Sequence, residues 1–218
     1  MGNIISVALG TEKLGNVVRA AAIDVACLAA VLAGAVLLAR LLQALAVRAI
    51  ALVAGATSAN VIVGYLTYPG VLFHELSHAL AALLSGARVT GISLGRVAAA
   101  DGSGWVLGSV TFVPRGPKLL QAFQLALTGI APALTGLAGL AALVHFGPAL
   151  CSKPWHGALL VYLFICVLLH MDLSQADVAR ILEGLPLVAL TAFVVFLFIP
   201  QEPERLIAWM QGLFHASS

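Results

Sequence analysis

Long apolar stretches separated by short polar ones organise this chain, and several have the length of a membrane crossing, about 20 residues. Ala20 to Ala39 is apolar apart from Asp24 and predicts a first span. Beyond Arg40 and Arg48 the chain turns apolar again from Ile50 to Ala56, read either as an extension of the first helix or as a short interfacial piece. The second stretch covers residues 60–85, with Gly86 as its stop signal. Gly64 and Pro69 interrupt its first half, and Pro69 predicts a bend or break whose freed backbone groups need partners from neighbouring protein or water. Leu119 to Phe146 predicts the third span, broken by Pro132 and lined by Gly129, Ala133, Gly136 and Gly139, small residues that permit close helix approach. Gly157 to Met171 is a short fourth span with Trp155 and His156 as interfacial anchors. A polar interruption, Asp172 to Asp177, precedes the fifth span from Leu185 to Ile199, which Pro200 ends. The tail from Glu202 to Phe214 alternates polar and apolar residues at helical spacing, the pattern of a helix lying on a membrane surface.

One extended polar region, Ala87 to Lys118, stands apart. Val89–Leu94 and Trp105–Val113 are rich in β-branched and aromatic residues and read as strands around a turn at Asp101–Gly104. The expected fold is therefore mainly α: a polytopic membrane helix bundle of about five spans, four to six, with a small β-hairpin or sheet after the second. A single membrane domain over 1–218 is expected, with 20–57 as first span and extension, 60–146 as second span, β region and third span, 155–200 as the last spans and 201–218 as a surface tail.

Composition agrees: 61% of residues are hydrophobic and 9% charged, which excludes an ordinary soluble domain. The net charge of +2 is too small and its basic residues too scattered for nucleic-acid binding. Cys27, Cys151 and Cys166 have no CxxC spacing and read as small buried hydrophobes. The first twenty residues lack the ordered regions of a cleavable signal peptide, so the first span is expected to act as its own signal. Lys13 and Arg19 before that span, and Arg88, Arg96, Arg115 and Lys118 after the second, predict that both regions are cytoplasmic, although Arg40 and Arg48 run against this assignment. The connection holding Asp172 and Asp177 then falls on the same face.

Within the second apolar stretch lies His74-Glu75-Leu76-Ser77-His78, an HExxH sequence. On a helix, residues four apart share a face, so His74 and His78 can direct ring nitrogens at one metal ion while Glu75 stands beside it as general base. Imidazoles and a carboxylate in an apolar segment are costly unless they perform chemistry. A catalytic zinc site has three protein ligands and an open position, so a third partner is needed. Asp172 and Asp177, in a polar break at matching depth, are the leading choices. His145, His156 and His170 lie near span ends, where hydrogen bonding at the interface is the ordinary role, and Glu183 reads as a solvated charge at a helix terminus. The implied activity is a zinc endopeptidase acting on a transmembrane protein or peptide in the lipid bilayer, its site nearer the cytoplasmic face. Since a helical peptide bond is shielded by its own hydrogen bonds, the substrate must unwind; it then pairs with a hairpin edge between Gly104 and Pro114, unless the hairpin only packs over the site. Two other classes compete: a non-catalytic relative that binds a transmembrane partner, and a metal transporter with His and Asp along an ion path. Transporters often carry internal repeats, and none is visible.

The stretch Tyr68-Pro69-Gly70-Val71-Leu72-Phe73-His74-Glu75-Leu76-Ser77-His78, continuing through Gly86-Ala87-Arg88-Val89, resembles the site-2 protease superfamily, particularly its compact M50B-like members. The resemblance runs on through the hairpin and third span and implies intramembrane proteolysis with Zn2+ as cofactor. The superfamily's third ligand sits in an Asp-Gly pair, yet Asp101-Gly102 falls in the polar loop. Ser174-Gln175-Ala176-Asp177 followed by Gly184-Leu185-Pro186 is similar to an element of the compact relatives, and implies Asp177 rather than Asp172 as the ligand. Pro132-Ala133-Leu134-Thr135 resembles the family's Pro-x-x-Asn, with Thr135 in place of Asn.

Overall fold

In a computed structural model, residues 2–98 and 105–198 are described. They form α1 (Gly2–Ala54), α2 (Ala56–Leu66), α3 (Tyr68–Leu84), β1 (Arg88–Ala98), β2 (Trp105–Val113), α4 (Lys118–Leu150), α5 (Pro154–Leu169) and α6 (Gln175–Phe198). The expected turn at 101–104, Pro200 and the surface tail lie outside the described residues. The chain is mainly helical with one small sheet. Among the described residues, three helices are long and apolar enough to cross a membrane: Leu14–Ala54 within α1, α4 and α6. The expected second span is instead a pair of helices of 11 and 17 residues, and the expected fourth is α5, of 16 residues. Two units divide the chain, Met1–Val31 with Pro186–Ser218, and Leu32–Leu185. Every contact and site discussed below belongs to the second.

Helix α1 continues through Arg40 and Arg48, so the extension reading holds over an interfacial piece: arginine is a good helix former, and the helix stops only at Gly55, φ 79°. The break before HExxH falls where Pro69 demands it. Pro69 occupies the first turn of α3, where its missing N–H is no loss. The carbonyl of Leu66, at the end of α2, accepts a hydrogen bond from the Tyr162 hydroxyl at 2.9 Å, and that of Thr67 accepts one from the Gly70 N–H at 2.9 Å. The far end of α3 is a Schellman turn: Gly86 adopts φ 85°, its N–H bonds the Leu83 carbonyl, and the Ala87 N–H reaches back to Ala82.

Further expectations are corrected: of the three cysteines read as buried, Cys166 is, whereas Cys27 and Cys151 are exposed. Pro132 does not break α4, which runs on to Leu150. Proline leaves the carbonyl four residues earlier without a donor, here that of Thr128, and the helix continues because a side chain of α3 supplies one. Nor does the polar run after α5 extend through Asp177. Helix α6 begins at Gln175, where Ser174 and Asp177 form a reciprocal cap, so Asp177 stands on the first helical turn and Glu183 is exposed in mid-helix, not at a terminus.

Strands β1 and β2 pair antiparallel from Arg88↔Val113 to Ala98↔Trp105, with irregularities between Val89 and Gly91 and between Ser93 and Arg96. At the second, Leu94 and Gly95 stand opposite Gly108 alone, a bulge that frees the Leu94 carbonyl to accept from the Tyr68 hydroxyl of α3. Buried Gln124 of α4 ties the base of the hairpin to the end of α3, accepting from the Arg115 N–H at 2.8 Å and donating to the Ser85 carbonyl at 2.9 Å. Helix α3 is the hub, packed by α4, α5 and both strands. Ala39, Val167 and Met171 form a buried cluster joined by Phe73 and Leu137. The small residues of α4 mark its close approaches: Gly129 faces the backbone of Asp177, Gly136 faces Met171 and Gly139 faces Phe73.

Candidate metal centre

His74 and His78, one turn apart on α3, turn their rings toward the start of α6. Their Nε2 atoms are 3.1 Å apart, and the Asp177 carboxylate lies 3.4 Å from His78 Nε2 and 4.0 Å from His74 Nε2. One ligand-capable atom from each residue falls within 4.8 Å of the others. A tetrahedral ion with bonds of about 2.0–2.2 Å requires ligand atoms roughly 3.3–3.6 Å apart. The observed separations straddle that range, and two imidazoles with one carboxylate is a donor set suited to zinc with a coordination position left open.

The outer nitrogens settle the tautomers. His78 Nδ1 lies 2.8 Å from the Thr128 carbonyl, and His74 Nδ1 lies 2.8 Å from the His170 carbonyl. A carbonyl only accepts, so both Nδ1 atoms carry the proton and both Nε2 atoms present lone pairs to the centre. Each carbonyl is available for a local reason: Pro132 removes the N–H that would have bonded Thr128, and His170 lies just past the end of α5. Such partners fix ring orientation and raise ligand basicity.

Asp177 is 2% exposed, and an ionised carboxylate so placed needs partners. Its Oδ2 accepts from the Ser174 N–H at 3.0 Å and from the Ser174 hydroxyl at 2.6 Å, and its Oδ1 accepts from Arg180 Nη1 at 3.1 Å. A carboxylate offers about four lone-pair sites. Three are taken, and the fourth belongs to Oδ1, the oxygen nearer His78. The Arg180 guanidinium also lies 5.3 Å from the centre of the Phe112 ring of β2.

Glu75 stands on the same helix beneath β2. Gly108 of that strand has φ 132°, and a Cβ there would lie 2.8 Å from Glu75 Cγ and 3.4 Å from Val71 Cγ1, so only glycine lets the strand cross the carboxylate this closely. A cavity of about 340 Å³ opens beside it, lined by His74, Glu75, Gly108, His170, Asp172 and Ser174 among others. The Asp172 carboxyl sits in that wall outside the three-residue group; burial raises it above the ordinary carboxylate range, opposed by His74, His170 and Arg40.

The four residues expected from the sequence thus meet: His74, His78 and Asp177 around one point, Glu75 beside it. Among the described residues, His145, His156 and His170 stand outside that group, though the His170 backbone serves it. Thr135 is engaged within the helix pair, its hydroxyl 2.6 Å from Ser77 Oγ and 2.8 Å from the Ala131 carbonyl. Sequence reasoning missed Ser174, Arg180 and Thr128. The first two had a signal: Ser-x-x-Asp ahead of an apolar run is a capping pattern, and Asp and Arg three apart share a helix face.

Comparison with known families decides the class, since residues 44–218, 175 of the 218, match the family described as Peptidase M50B-like. The chain belongs to the Peptidase M50B-like family. Its three long apolar helices and this M50B-like membership together make it an integral membrane protein of a metalloprotease family, one whose M50 members use zinc. No curated protein and no solved structure shows significant similarity to the chain.

Proposed function

We propose that the protein is an intramembrane zinc endopeptidase that cleaves transmembrane or membrane-proximal peptide segments, with His74, His78 and Asp177 as metal ligands and Glu75 as general base. The observation that carries this reading is the convergence of two Nδ1-tethered imidazoles and a capped carboxylate beside Glu75. When bound, the ion supplies Lewis acidity that acidifies water and polarises a peptide carbonyl. Glu75 takes the proton from the attacking water and delivers it to the leaving amine. Gly108 lets β2 pass close over its side chain, which lines the cavity. Ser174 and Arg180 orient the Asp177 carboxylate, and the Thr128 and His170 carbonyls fix the imidazoles.

Five crossings are part of this reading, with α2 and α3 acting as one interrupted span and α5 as a short one. The polar cleft beside Glu75 then opens toward the cytoplasmic face. An unwound substrate has an extended strand to lie against: among the described residues β1 and β2 form a two-stranded sheet, and β2 crosses Glu75.

The test compares purified wild type with Glu75→Gln for zinc content and for cleavage of reporter transmembrane substrates. Both proteins should hold one zinc, and the substitution should slow cleavage by about 10²–10⁴-fold. Zinc in both with no cleavage by wild type across a broad substrate panel would replace the enzyme by a partner-binding protein on the same fold.

A further inference from the structure

The short segment from His170 to Ser174, between α5 and α6, supports two of the three ligands. At one end the His170 carbonyl accepts from His74 Nδ1 at 2.8 Å. At the other, Ser174 gives its N–H and hydroxyl to Asp177 Oδ2 at 3.0 and 2.6 Å. A shift of this segment would therefore move an imidazole and a carboxylate together. Its middle is fastened on two sides. Met171 is 1% exposed and packs against Ala39 of α1, facing Gly136 of α4 so closely that a Cβ there would fall 2.3 Å from Met171 Cγ. The next fastening is polar: the Arg40 guanidinium of α1 donates to the Leu173 carbonyl across 133 residues of sequence. Asp172, on the same segment, lies within electrostatic reach of Arg40.

Arg40 precedes residues 44–218, the part matched by the family. It follows an uncharged run that begins after Asp24, and a charge at the edge of such a run is retained at a cost unless it finds a partner. The adjacent Ala39 is fully buried in the cluster that holds Met171, while Arg40 itself is exposed and reaches the segment through its guanidinium.

We propose that Arg40 is a positioning residue of the metal centre: through its hydrogen bond to Leu173 it holds the His170–Ser174 segment, and with it His74 and Asp177, in ligating geometry. The proposal rests on the metalloprotease reading. It makes α1 a brace of the site in this chain. A second donor at position 40 should partly serve, because the acceptor is a single carbonyl, whereas an unbranched apolar side chain should not.

The test uses the full-length protein in detergent, with Arg40→Met and Arg40→Lys beside wild type. Zinc affinity is read by competition with a chromophoric chelator, ligand geometry by the visible bands of the cobalt(II)-loaded protein, and fold by thermal melting of the metal-free forms. Partners that orient ligands are worth about 10- to 100-fold in metal affinity, and a residue acting through such a partner belongs at the lower end, about tenfold. Arg40→Met should weaken zinc binding by that amount and alter the cobalt bands while the metal-free protein melts as wild type does, and Arg40→Lys should recover part of both. Unchanged affinity and bands in Arg40→Met would overturn the proposal. So would a fall in metal-free melting temperature that accounts for the lost affinity and that lysine leaves uncorrected. Wild-type protein that takes up no zinc would instead overturn the metalloprotease reading beneath it.

Discussion

Gly108→Ala offers a sharp perturbation of the catalytic geometry, because it adds one methyl group and touches no ligand. The new Cβ would lie 2.8 Å from Glu75 Cγ, against ordinary van der Waals contact at 3.4–4 Å. Either the strand lifts or the Glu75 side chain retreats, by roughly 0.6–1.2 Å. The φ of 132° adds a backbone penalty of order 1–3 kcal/mol for alanine, which also favours lifting the strand. A displacement near 1 Å at a reacting group costs on the order of 10²-fold in rate. His74 and His78 are tethered to the α5 end and to α4 through their Nδ1 atoms, and Asp177 to Ser174, so no ligand is hydrogen-bonded to β2, which reaches Asp177 only through Arg180 over Phe112. Gly108→Ala should therefore lower kcat on a reporter substrate by about 10- to 100-fold, with zinc stoichiometry and affinity unchanged. Wild-type turnover would show that β2 does not fix the base. Loss of zinc would show that the strand supports the ligands, contrary to the hydrogen bonds described above.

Three further outcomes follow from the same geometry. Pro132→Ala restores an N–H that competes with His78 Nδ1 for the Thr128 carbonyl, so it should weaken zinc binding by about tenfold, or 1.4 kcal/mol, as read by chelator competition. Asp177→Ala should abolish zinc uptake measured by elemental analysis, whereas Asp172→Ala should retain it, since Asp172 stands outside the ligand group; the reverse pattern would exchange their roles. Ser174→Ala removes one donor to Asp177 and the cap of α6, which should cost about 0.5–2 kcal/mol of stability in a melting experiment together with a measurable loss of zinc affinity.

Local rules carried much of this architecture. The position of Pro69 gave the break before HExxH, Gly86 the end of α3, and the β-branched runs the hairpin. Spacing four residues apart brought His74 and His78 to one face. What stayed hidden depended on contacts between elements distant in sequence. Pro132 reads as a helix breaker because its effect on its own helix is unfavourable, and only the donor arriving from His78 reverses that. Residues 174–177 read as a break by polarity, although the reciprocal cap they contain is a start signal. Arg40 reads as a loop charge because its partner, the Leu173 carbonyl, carries no mark in the sequence. Arg180 is visible as a partner of Asp177 only once that residue is known to be helical.

X-ray absorption on the zinc-loaded protein tests the central claim most directly. The account predicts one zinc with two imidazole nitrogens at about 2.0–2.1 Å, a carboxylate oxygen and a further light-atom ligand at about 2.0–2.2 Å, and no sulfur. A sulfur shell at about 2.3 Å, or a single imidazole, would contradict it.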